Sequence, residues 1–110
     1  MLSTKQIWRT RMIEKVAAVK EPQADWDAKT RITFYFITMP QGHQLTSDRI
    51  AIAVYNNDSK HTVEMVDAAI RDLLLNGILA TKTELPQVFY RLHPDARLVL
   101  GRVKRDATHH

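Results

Sequence analysis

The chain has 110 residues, 45% of them hydrophobic, and its 16 basic and 12 acidic side chains give a formal charge of +4. That length suits one domain with one core, and the hydrophobic share is ordinary for a globular protein. The absence of cysteine excludes a disulfide framework and any thiolate ligand or nucleophile. No apolar run approaches the roughly 20 residues of a membrane span.

Lys5, Arg9 and Arg11 are not followed by a uniform apolar stretch, so no secretory signal is read. The expectation is a soluble cytoplasmic protein. The charge is unevenly placed. Residues 1–20 carry five basic groups against one acid, and residues 86–110 carry five against two. Residues 21–85 carry six against nine. Basic ends suit a polyanion, because each phosphate contact releases counterions.

Residues 4–20 are predicted as the first helix. Ser3 and Gln6 have capping-box spacing. Trp8, Met12, Val16 and Val19 recur at helical spacing with Ile13 beside them, while Lys5, Arg9 and Lys15 fall off that stripe. Glu21-Pro22 closes the segment, since the residue before proline avoids the α region.

Residues 25–40 are ambiguous. Ile32-Thr33-Phe34-Tyr35-Phe36-Ile37-Thr38 is rich in aromatic and β-branched residues, which favours a strand. Helical spacing is also present, Asp25 or Asp27 can cap the start, and the segment is long for an isolated strand. It is read as a helix ended by Pro40-Gln41-Gly42.

Residues 45–54 form the next predicted helix, with Ile50, Ala53 and Val54 inward. Asn56-Asn57-Asp58-Ser59 is a break rich in turn formers. Residues 62–75 follow as a longer helix with Thr62 as N-cap and Asn76-Gly77 as its stop. At 100° per residue Val63, Val66, Ile70, Leu73 and Leu74 gather on the core face. Glu64, Ala68, Arg71, Asp72 and Leu75 lie opposite, with Met65 on the flank. Leu75 is therefore expected under the hairpin or under a partner.

Residues 78–83 and 88–92 are predicted as a two-stranded hairpin around Glu84-Leu85-Pro86-Gln87. Residues 95–104 contain Leu98, Val99, Leu100 and Val103. They are read as a short helix on the first helix or as a contact with a second subunit. Disorder is expected after Arg105, with His109-His110 mobile. The domain is thus divided into an N-terminal helix (1–24), a central unit (25–94) and a basic C-terminal segment (95–110).

Helix, turn, helix and hairpin is the layout of a winged helix-turn-helix, so the expected fold is mainly α: three or four helices plus a small two-stranded β-wing. The core positions Arg31-Ile32, Tyr35-Phe36-Ile37, Gly42, Leu45-Thr46, Asp48, Ile50-Ala51, Thr62-Val63, Val66, Ile70, Leu73, Asn76-Gly77-Ile78-Leu79, Phe89-Tyr90 and Leu92 resemble bacterial winged helix-turn-helix transcription regulators, in the broad MarR-like and PapI-like sense. The resemblance covers a little over half the chain. It implies a regulator that binds double-stranded DNA as a homodimer, its second helix lying in the major groove.

On that resemblance Ser59, Lys60, His61 and Thr62 stand at the leading edge of the recognition helix, where backbone N–H groups and the helix dipole favour phosphate. Met65 and Ala68 are expected against thymine methyls and Glu64 against cytosine N4. Arg71 and, on the wing, Lys82 complete the central set. Arg9, Arg11, Arg102, Lys104 and Arg105 are expected as phosphate contacts. Glu64, Asp67 and Asp72 also support an alternative, a winged-helix module that grips a protein instead of DNA.

The five histidines form no H-x-x-x-H pair, and no phosphate-binding loop or nucleophile elbow is present. Neither a metal, a cofactor nor enzymatic activity is expected. Trp8 and Trp26 are read as core, with a dimer contact as the alternative.

Overall fold

The computed structural model describes residues 1–108, so the expectation for His109 and His110 lies outside the described residues. The elements run α1 (Thr4–Ala17), α2 (Ala28–Thr38), β1 (Gln44–Leu45), α3 (Ser47–Tyr55), α4 (Lys60–Leu75), β2 (Leu79–Glu84), β3 (Gln87–Leu92) and α5 (Pro94–Thr108). The chain is mainly helical, with one small antiparallel sheet of strand order β1-β3-β2. The expected three or four helices and two-stranded hairpin are thereby corrected to five helices and three strands among the described residues.

In α1 the capping box forms as its spacing requires. The Gln6 N–H donates to Ser3 Oγ at 3.1 Å and the Ser3 N–H to Gln6 Oε1 at 2.8 Å. The helix ends at Ala17, earlier than expected. Its buried stripe is Arg9, Ile13 and Val16, one position round from the expected one, and Trp8 and Met12 are only partly covered.

α2 is a helix despite its strand-forming residues. Asp27 caps it, its carboxylate accepting from the Thr30 N–H at 3.0 Å and the Thr30 hydroxyl at 2.7 Å. The Arg31 guanidinium donates to the carbonyls of Gln23, Ala24 and Trp26, tying down the connection from α1. Ile32, Thr33, Phe36 and Ile37 then all face the core, which a half-buried strand of this sequence could not achieve. Met39 leaves the helix in an extended conformation, as a residue before proline does.

Leu45 belongs to β1, so α3 starts two residues later than expected. Ile50 and Ala51 are its buried positions, and Ala53, expected inward, is exposed. Asn56 ends α3 in the left-handed region at φ 53°, where asparagine is tolerated.

α4 begins before Thr62. Ser59 is the N-cap, its hydroxyl accepting from the Thr62 N–H at 3.4 Å, and Thr62 itself is buried in the first turn. Thr62, Val66, Ala69, Ile70 and Leu73 form the inward face, with Val63 and Leu74 beside it. The helix stops in a Schellman motif: Ile78 N–H donates to Leu73 O at 2.9 Å and Gly77 N–H to Leu74 O at 3.2 Å, with Gly77 at φ 71°.

The hairpin pairs Leu79 with Leu92 at its base and Glu84 with Gln87 at its tip. β1, unforeseen from the sequence, adds Gln44 opposite Arg91 and Leu45 opposite Tyr90. Pro94 does not merely end β3. It occupies the first position of α5, where a missing N–H costs nothing. α5 is 15 residues long and runs through the stretch after Arg105 expected to be disordered. It packs along α1, and its Ala96, Val99 and Leu100 enter the same core as Ile13, Ile32, Phe36, Val66 and Leu73.

Two glycines have positive φ, and they separate two costs. A Cβ at Gly77 would come within 2.6 Å of Arg9 Nη1, whereas one at Gly42, at φ 88°, would meet nothing within 4 Å. Gly42→Ala is expected to cost about 1 kcal/mol from backbone strain alone, and Gly77→Ala clearly more because a buried guanidinium must also move. Urea unfolding of both variants measures the difference; equal losses would mean that Arg9 yields freely.

Asp27 generates a pH prediction. Burial pushes its carboxyl up, but the Thr30 N–H and hydroxyl and the charges of Lys29 and Lys15 outweigh this and hold it below the usual aspartate value. A depressed folded pKa contributes stability that is complete above the unfolded value, about 3.9, and lost as pH falls through the folded one. Between pH 5 and 2 the melting temperature of Asp27→Asn should therefore fall less than that of the unaltered chain.

Candidate nucleic-acid interface

The residues expected to read DNA divide into three groups in space. The first is the outer face of α4. Lys60, His61, Glu64, Ala68, Arg71 and Leu75 are exposed there, about one turn apart along the helix. Ser59 is exposed at the cap, held by its own N–H donating to Asn57 Oδ1 at 2.7 Å. The backbone N–H groups of Lys60 and His61, in the first turn, have no intrahelical acceptor and are available to an anion.

Thr62 leaves this set. Its side chain is buried and its hydroxyl lies 3.0 Å from Ser59 Oγ, so it cannot reach a base edge. The expected N-cap and contact role passes to Ser59, because the helix starts two residues earlier than its apolar pattern suggests. Met65 is 38% exposed but sits on the flank, where with Ala68, Trp26, Tyr55, Ala28 and Ala69 it lines a recess of about 730 Å³ between α4 and the start of α2. Trp26 is buried against that recess, and its ring meets Phe34 at 5.7 Å.

The electrostatics of α4 are mixed. Lys60 and Arg71 stand one helical turn along the chain from Glu64 and Asp67 respectively, while Asp72 is 3.8 Å from Lys29. Pairing with Lys29 reduces the negative character of one flank without making the helix basic. Leu75, expected under the hairpin or a partner, is 72% exposed, so the hairpin does not cover it.

The second group is the hairpin. Lys82 is exposed, with its Nζ 3.2 Å from Glu84 Oε1, and that pairing offsets its charge. Leu85 occupies the tip and is 89% exposed.

The third group comprises the terminal cations. Arg11, Arg102, Lys104 and Arg105 are exposed on α1 and α5. Arg9 is not. It is 8% exposed, packed against Gly77, with Nη1 3.8 Å from Asp95 and a buried Nε that has no hydrogen-bond partner. Its role as a phosphate contact is corrected: Gly77 has no side chain, so the α4–β2 turn leaves room into which Arg9 folds. The packing of α1 on α5 sets Arg9 and Arg102 on one recess, which Glu14 and Asp106 share, while Arg11 lies on another recess beside Trp8 and Met12.

Sequence reasoning did not single out Arg49, an exposed base on α3, or Arg91 and Arg97, which meet at the base of the hairpin. Strand alternation opposite inward Leu92 was the available signal for Arg91; the meeting with Arg97 is tertiary. Among the described residues no group of three metal-ligating side chains occurs, and no helix is long and apolar enough to cross a membrane. No protein-family profile matches the chain, and no solved structure matches it.

Proposed function

We propose that the chain is a winged helix-turn-helix DNA-binding regulator of transcription acting in the cytoplasm, with α2, α3 and α4 as its three-helix unit and β2–β3 as its wing. The observation that carries this reading is the order α2-β1-α3-α4-β2-β3, with β1 pairing back onto β3. That pairing lets a two-residue strand before the helix pair brace the hairpin after it, and it leaves the outer face of α4 and the hairpin tip free. Lys60, His61 and Arg71, with the N–H groups after Ser59, are the groups suited to phosphates and base edges. Arg11, Arg102, Lys104 and Arg105 add long-range attraction. The reading assigns no catalysis and no cofactor.

Binding of a random-sequence duplex, followed by fluorescence anisotropy across salt concentrations, tests it. Lys60→Gln and Arg71→Gln should each weaken binding and flatten the log–log salt slope by about 0.9 for every phosphate that is no longer neutralised. Lys82→Gln should do less, because Glu84 already offsets that charge. An unaltered chain that shifts no duplex at low ionic strength would reject the proposal.

The exposed Leu75 together with Glu64 and Asp67 favours the second reading, a protein-binding module. Such a surface suits a basic partner with an apolar anchor. A partner that stays bound after nuclease treatment and is released by Leu75→Asp would support it over DNA.

A homodimer is part of the leading reading, since paired half-sites call for two copies. Val99 and Leu100 are consumed by the core, which leaves Leu98, 67% exposed, and the outer face of α1 around Ile7, Trp8 and Met12 for a second copy. Light scattering at micromolar concentration should give twice the chain mass, and Leu98→Asp should lower it without loss of fold. A monomer mass throughout excludes the dimer.

A further inference from the structure

At the base of the hairpin, away from its tip, three segments close around a recess of about 370 Å³. Its polar side is Arg91 of β3, Arg97 of α5 and the Gln41-Gly42 turn between α2 and β1; its apolar side includes Pro94 and Leu98. The sequence dictates this meeting. Leu92 is buried, so its strand neighbour Arg91 points to the opposite face. Pro94 starts α5 at once, and with Ala96, Val99 and Leu100 committed to the core, Arg97 is left half-buried on the flank of the first turn.

The charge balance of the recess is one-sided. No carboxylate lines it. Neither Arg91 nor Arg97 has an ion-pair partner among the described residues. The nearest acid along the chain, Asp95, lies 3.8 Å from Arg9 Nη1, away from the recess lining. Two guanidiniums on one recess repel each other, and Arg97 is also half-buried whereas Arg91 is exposed; a dianion between them relieves the repulsion and offsets the partial burial of Arg97. A single carboxylate would satisfy one guanidinium and leave the second charge unmatched.

We propose that this recess is a binding site for a small phosphomonoester, its phosphate held by Arg91, Arg97 and the Gln41 amide and its organic body lying on Pro94 and the Gly42 turn. A phosphomonoester carries nearly two charges and three acceptor oxygens at neutral pH, which guanidinium forks match in bidentate geometry. The volume suits a small ligand, at the low end of the range of about 300–1,000 Å³ typical of such pockets. The site does not depend on α4 touching DNA.

The test is titration of the full chain by two-dimensional amide NMR with phenyl phosphate, with dimethyl phosphate and benzoate as single-charge comparators at matched ionic strength. Phenyl phosphate should give saturable shifts centred on Gly42, Arg91 and Arg97, and the comparators should bind at least roughly tenfold more weakly. Arg91→Gln and Arg97→Gln should each weaken phenyl phosphate by a similar factor. Both side chains lie off the core, so an unchanged spectrum elsewhere certifies the fold of each variant. Absence of saturable shifts, equal binding of benzoate, or binding indifferent to both variants would overturn the site. So would phenyl phosphate inert toward the unaltered chain while Arg91→Gln weakens duplex binding, because the arginines would then be contacts for a nucleic-acid backbone. Loss of duplex binding by α4 variants with phenyl phosphate binding intact leaves the site standing.

Discussion

Arg9, Gly77 and Asp95 meet where α1, the α4–β2 turn and α5 converge, and the arrangement of the other elements follows from that junction. α4 must stop and reverse within two residues so that Ile78 and Leu79 enter the core, both almost fully buried. The Schellman turn achieves this only with a residue that accepts positive φ. The same lack of a side chain at Gly77 lets a guanidinium from α1 close over the turn. A buried charge is costly unless paired, and here it is paired only loosely, with Asp95 at 3.8 Å and Nε without a partner. The junction is held chiefly by packing: Ile13 and Val16 on α1 and Ala96, Val99 and Leu100 on α5 bury their side chains around it. Arg9 is carried in by its neighbours on the helix and covers the turn with its guanidinium.

What could be read in the sequence was whatever is decided within a few residues. The Ser3–Gln6 box, the Asn76-Gly77 stop, the inward positions of Val66, Ile70 and Leu73 and the presence of a hairpin after α4 all rest on local spacing, whereas Glu84 and Gln87, read as turn residues, pair as the last rung of the strands. The segment around Phe36 shows the limit of propensity. Its residues favour strand, yet four of them can reach the core together only on a helix that Asp27 caps and Arg31 fastens. β1 was illegible because a two-residue strand has no pattern of its own. It exists through pairing with β3, more than 40 residues away. The burial of Arg9 was hidden for a similar reason, since it depends on space left by a distant glycine. The displacement of the cap from Thr62 to Ser59 is a smaller matter. Both are good caps, three residues apart, and their hydroxyls bond each other, so sequence could not rank them.

The charge of the chain has a structural reading that totals conceal. Lys82 is paired with Glu84 and Lys29 with Asp72, and such exposed pairs contribute roughly 0–1 kcal/mol to stability. Their larger effect is on the surface field, because each cancels a charge that the sequence count treats as free. Arg31 is likewise committed to three backbone carbonyls. The uncommitted bases then lie in separate places: Lys60 and Arg71 on α4, Arg49 on α3, Arg91 with Arg97, and the exposed cations of α1 and α5. No single face is uniformly basic. A polyanion would be held by scattered contacts, and selectivity for it would rest on α4, where bases and acids alternate.

The hairpin is graded along its length, which sets what each end can do. At the base, Leu79 and Leu92 are buried opposite each other, and the His93 N–H donates to the Ile78 carbonyl at 2.8 Å, closing the ladder against the end of α4. β1 adds a second row of backbone bonds to β3 at the same end. Beyond Tyr90 and Thr81 the residues of both strands are exposed or only partly covered, and the tip has cross-strand pairs alone to hold it. Two-stranded ribbons without a packed face are marginal in water. Local opening therefore costs least at Leu85-Pro86 and most at Leu79–Leu92. Groups that must be held at fixed spacing, such as Arg91 and Arg97, sit at the firm end. The tip, with an exposed leucine and little to anchor it, can adapt to whatever surface it meets.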